Sequence, residues 1–102
     1  MLILAIHFFN GGKAVRQIDT DSISAVTFDP SYSTKAADGY NARVRIKADK
    51  DFDLFFPEPG DTPGDSVKEV RAIWIDSDRV DSGWTDDPDT LFNFLVKGKF
   101  NL

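Results

Sequence analysis

Apolar residues run almost unbroken from Leu2 to Phe9. Such a run suits a strand covered on both sides. Asn10-Gly11-Gly12 follows, and Asn-Gly between apolar segments is the strongest short hairpin signal, because both turn positions need positive φ. The return strand is then Lys13 to Ile18. A polar corner, Asp19-Thr20-Asp21-Ser22, leads to a third strand over Ile23 to Phe28. Asp29 to Gly39 reads as a long polar loop carrying Tyr32, longer than an ordinary hairpin connection.

Alternation is cleanest from Tyr40 onward. Arg43, Arg45 and Lys47 alternate with Val44, Ile46 and Ala48, and Phe52, Leu54 and Phe56 alternate with Asp53 and Phe55. A slip of one residue would turn every side chain to the wrong face. A three-residue connection, Asp49-Lys50-Asp51, keeps the faces consistent and sets Lys47 opposite Asp53 and Ala48 opposite Phe52. Phe55 then lies on the basic face near Arg45, so that face is covered or Phe55 is a contact residue. Pro57 to Asp65 is a stiff, turn-rich connector.

Val67 to Ile75 supports two readings. Ser66-Val67-Lys68-Glu69 matches a capping box, with Val70 and Ile73 on one helical face. The β-branched run ending Ala72-Ile73-Trp74-Ile75 equally suits a strand. Asp76 to Asp89 reads as an acidic loop. Asp87-Pro88 then opens a C-terminal helix, since Asp caps well and Pro suits the first helical position. Leu91, Phe92, Phe94 and Leu95 give that helix an apolar side, and Gly98 is its expected stop. These elements predict one α+β domain over 1–102: an antiparallel meander of about five strands with one or two packed helices, including the C-terminal helix.

Composition narrows the chemistry. The 102 residues include no cysteine, which removes disulfides, thiolate catalysis and thiolate-bound zinc or iron–sulfur centres. The apolar start lacks a basic leader and a small-residue cleavage site, and is too short to span a bilayer, so a cytoplasmic protein with no membrane contact is expected. The net charge is −5, and Glu58 and Glu69 are the only glutamates among seventeen acids. Aspartate favours caps and turns over helix interiors, which places the negative charge in loops and on strand faces. An acidic chain attracts basic partners and repels phosphate, so direct nucleic-acid binding is not expected.

Recognisable catalytic patterns are missing. His7 is the only histidine, and its apolar neighbours mark it as a packed core residue rather than a catalyst. Gly11-Gly12-Lys13 lacks the remaining features of a phosphate-binding loop. Asp49-Lys50-Asp51-Phe52-Asp53 begins like a calcium loop, but Leu54 replaces the required glycine. An irregular divalent-cation site at Asp76, Asp78 and Asp81 is the one metal arrangement left open. In extended chain, Asp49, Asp51 and Asp53 would also be spaced about 6.7 Å apart, near the two-step phosphate spacing of nucleic acid. The neighbouring Arg43, Arg45 and Lys47 argue instead for a charged hairpin end.

The remaining surface feature is Trp84 among Asp76, Asp78, Asp81, Asp86, Asp87 and Asp89. Carboxylates steer a basic partner, and an indole offers it a cation–π face. These residues, with Phe55, predict a non-enzymatic interaction module, a small acidic inhibitor or regulator of the kind phage and mobile elements carry. Its partner is a protein with a basic surface, a nucleic-acid-binding protein being one such partner, and no cofactor is expected. The competing expectation is a self-associating structural subunit of a virion or larger complex, using the first strand or Phe55 as its edge. A small metal-binding or enzymatic domain is the third.

Overall fold

The computed structural model describes residues 1–30, 40–57, 66–75 and 79–100. The loop over 31–39, with Tyr32, and most of the connector 58–65 lie outside the described residues. The chain is α+β, as its pattern implied, but its strands do not form one five-stranded meander. Among the described residues they form two antiparallel sheets with a single α-helix, at the C-terminal end. The first sheet has four strands in the order β2-β1-β6-β7: β1 is Leu2–Phe8, β2 Lys13–Ile18, β6 Val67–Ile75 and β7 Arg79–Thr85. The second has the order β3-β4-β5: β3 is Ala25–Asp29, β4 Tyr40–Lys47 and β5 Phe52–Pro57. Helix α1 spans Pro88–Phe100 and packs against β3 and β4 of one sheet and β6 and β7 of the other.

Each sheet turns one face inward. Leu2, Leu4 and Ile6 of β1 pair with Trp74, Ala72 and Val70 of β6, and all six are buried. Val44, Ile46, Leu54 and Phe56 supply the second sheet's inner face, and Leu91 and Leu95 of α1 close the same core. Phe28 meets Phe92 at a ring-centroid distance of 5.6 Å. The odd positions of β1, Ile3, Ala5 and His7, are only half-buried on the outer face. The expectation that β1 is covered on both faces therefore fails. The inner face packs into the core, whereas the outer face is only partly covered.

Local signals place several boundaries. The first hairpin closes with Phe8 N donating to Gly12 O and Gly11 N donating to Phe8 O, while Gly11 takes φ +86°. That is a three-residue loop with a left-handed residue at its end, which glycine adopts without steric cost. Val67 to Ile75 is a strand. Its capping-box pattern loses because the segment pairs with β1 on one side and β7 on the other.

The β4–β5 hairpin keeps the expected faces but slips by two residues. Arg45, not Lys47, lies opposite Asp53, and Ile46, not Ala48, lies opposite Phe52. The connection is correspondingly longer, with residues 47–51 between the paired Ile46 and Phe52. The reason is visible at both faces: Phe52 packs beside Ile46, while Arg45 Nε and Nη2 donate to the two oxygens of Asp53 at 2.6 and 2.9 Å. A guanidinium fork matches a carboxylate better than an ammonium does.

Helix α1 begins where expected. The Asp87 carboxylate accepts from Asp89 N at 3.3 Å and from Thr90 Oγ1 at 2.7 Å. It does not stop at Gly98. The helix runs two residues further, because this glycine provides clearance: a Cβ there would sit 2.0 Å from Nε1 of buried Trp74.

Candidate functional site

The segment expected to be an acidic loop contains strand β7, and its irregularity builds the site. Arg71 lies opposite Trp84 and Ile73 opposite Asp81, so Ser82 and Gly83 together face the single residue Ala72. This is a β-bulge. Ser82 Oγ accepts from Ala72 N at 2.9 Å, standing in for a ladder carbonyl, and Gly83 takes φ +70°. In a regular strand, residues 81 and 84 would point to opposite faces. The extra residue turns both onto the outer face of the four-stranded sheet.

Asp81 is held there by Arg71. The Arg71 Nη2 group bonds Asp81 Oδ2, and Nε donates to both carboxylate oxygens at 3.0 Å. Gly83 N donates to Oδ1 at 2.8 Å. The Arg71 hydrogen bond first, and the Gly83 amide second, pull the Asp81 carboxyl down to about 2, and Asp81 in turn raises the Arg71 guanidinium.

Trp84 is 43% exposed, and one of its faces is occupied. The His7 ring stacks on it with centroids 4.3 Å apart and planes 23° from parallel. His7 in turn lies directly opposite Glu69, and its Nδ1 is 2.8 Å from Glu69 Oε1. A carboxylate accepts only, so Nδ1 carries the proton of this bond. His7 is thus not the packed core residue its neighbours implied. The alternation of β1 sends it to the outer face, where it joins Glu69 and Trp84.

A second bulge lies beside this stack. Phe8 pairs with Val67 and His7 with Glu69, which leaves Lys68 as the extra residue of β6. Phe9, Lys68, Glu69, Trp84, Thr85 and Asp86 line an open concavity of about 520 Å³.

The structure brings together only part of the expected surface. Trp84 and Asp86 share the concavity, and Asp86 makes no hydrogen bond or ion pair among the described residues. Asp81 is neutralised by Arg71. Asp87 is taken up by the helix cap, and Asp89 accepts from Asn93 Nδ2 at 3.4 Å within α1. Phe55 is half-buried opposite Arg43 on the outer face of the other sheet, away from Trp84. Asp76 and Asp78 lie outside the described residues. Among the described residues no three metal-ligating side chains converge.

The carboxylates of Asp49, Asp51 and Asp53 do not continue one extended strand, so the phosphate-like spacing is not realised. Asp49 lies in the bend between β4 and β5, and both Asp51 and Asp53 approach Arg45. Arg45 holds the Asp53 carboxyl below the usual carboxylate range, against the opposing effect of burial.

Sequence reasoning missed His7, Glu69, Lys68, Phe9 and Thr85. Their only sequence signal was the single histidine and one of two glutamates, and only the register of β1 with β6 sets those two opposite each other. Among the described residues no helix is long and apolar enough to cross a membrane. Compared with protein-family models, curated proteins and solved structures, the chain matches none.

Proposed function

We propose that this protein is a non-enzymatic protein–protein interaction module, a small acidic inhibitor or regulator that binds a basic surface of its partner through the Trp84 face. One observation carries the reading: a large aromatic remains 43% exposed on a sheet face while both bulge geometry and the His7 stack hold it in place. Large aromatics are mostly buried, and an exposed, preorganised one is a natural contact centre. The net charge of −5 and the exposed Asp86 beside the indole favour a cationic partner.

The test is capture of partners from a lysate by the immobilised protein, eluted by rising salt. A partner held at low salt and released at high salt is expected, because exposed charge contacts are screened over about 8–10 Å at ordinary ionic strength. Trp84→Leu with Asp86→Asn should abolish its capture. Equal capture by wild type and this double variant would remove the Trp84 face from consideration. Asp87 is left unchanged because it caps α1.

A second reading, self-association as an assembly subunit, is favoured by a different strand from the one expected. β1 is paired on both sides and offers no edge, whereas β2 is an edge strand whose Val15 is 61% exposed. Light scattering after size exclusion distinguishes the two: a concentration-independent oligomer supports assembly, and a monomer at high concentration opposes it.

A further inference from the structure

We infer that the group seated on Trp84 is an arginine guanidinium of the partner rather than a lysine ammonium, an inference that rests on the interaction reading above. The His7 and Trp84 rings already form a two-layer planar stack, fixed at one end by Glu69. The indole is nevertheless 43% exposed, so the stack can take a third planar layer. A guanidinium is such a layer: it is flat, weakly hydrated and able to stack while its N–H groups donate in the ring plane. An ammonium is a compact, strongly hydrated charge that gains less from a flat platform.

Carboxylates able to accept from such N–H groups, Glu69 and Asp86, share the concavity with the indole. One Glu69 oxygen holds His7; the other, and both of Asp86, accept no hydrogen bond among the described residues. Among the described residues Phe9 is the only other apolar one lining it, which leaves a hydrophobic anchor little to pack against. The chain's own nearest guanidinium cannot fill the place, since Arg71, although opposite Trp84, is held by Asp81. Lys68 lines the concavity and carries the one competing positive charge there among the described residues.

The experiment is a low-salt titration with two heptapeptides of equal charge, one alternating glycine with arginine and the other glycine with lysine. It is read by tryptophan emission. Trp74 is only 3% exposed, so the response reports Trp84. The arginine peptide should bind roughly fivefold tighter, the equivalent of about 1 kcal/mol of cation–π preference. Read by calorimetry, Trp84→Leu should erase that preference, Asp86→Asn should weaken both peptides, and Lys68→Ala should tighten both. Thermal melts check that each variant is folded, and Asp86→Asn, at an exposed position, carries the test if Trp84→Leu is not. Equal affinity for the two peptides, or a preference unchanged in folded Trp84→Leu, overturns the guanidinium assignment and leaves the basic-partner reading intact. Binding of neither peptide overturns both.

Discussion

A methyl group at position 98 would meet three atoms of the Trp74 indole at 2.0, 2.4 and 2.6 Å. Gly→Ala inside a helix ordinarily stabilises by about 1 kcal/mol. Here the ring it meets is buried and cannot swing aside, and overpacking of a core costs about 1–3 kcal/mol. The clash wins, so Gly98→Ala should lower stability in a denaturant melt. In a Trp74→Leu background the same change should cost much less, a coupling that a double-mutant cycle would detect. The outer face offers a pH prediction. Asp81 has a folded-state value of about 2, below the ordinary carboxylate value of about 3.9. A depressed value means stability that is fully present above about 3.9 and lost as pH falls toward about 2. Asp81→Asn should therefore melt slightly lower than wild type at neutral pH, and the gap should close across that window.

At the scale of elements, the bulge in β7 concentrates the most information in the fewest residues. Ser82 Oγ is the acceptor for Ala72 N, a buried residue's amide, and it also donates to Gly83 O at 2.7 Å. Ser82→Ala leaves that N–H without its acceptor, at a cost of about 1–3 kcal/mol. It should also loosen the outer face, seen as a loss of the ring-current shifts that the His7–Trp84 stack imposes. Thermal melts and proton spectra of the variant check both parts. Helix α1 was readable in advance because its start depends on neighbours in sequence, Asp87 and Pro88. Strand β7 was not, because Asp81, Ser82 and Gly83 read locally as loop, and pairing with β6 overrides weak strand propensity.

Across the whole molecule, sheet order governs which segments open first. β1 is bonded along both edges, whereas among the described residues β2 and β7 each have one partner strand. Backbone amides exchange at rates set by the opening of their surroundings. Amides of Leu4, Ala5 and Ile6 should thus be among the slowest to exchange, and outward amides of β2 among the fastest strand amides. Comparable rates along β1 and β2 in a native-state exchange experiment would contradict this strand order.

By itself the sequence determined what depends on near neighbours. These are the first hairpin, the inward and outward faces of β4 and β5 though not their register, the start of α1 and the α+β class, since turn chemistry, capping and side-chain alternation act over a few residues. Only the tertiary structure decided that Leu2–Phe8 pairs with Val67–Ile75, that the strands split into two sheets, and that Gly98 serves clearance rather than termination. It alone also brought His7, Glu69 and Trp84 into one stack. Each of those outcomes rests on contacts between residues far apart in the chain, where the deciding free energy is packing and pairing that no local pattern encodes.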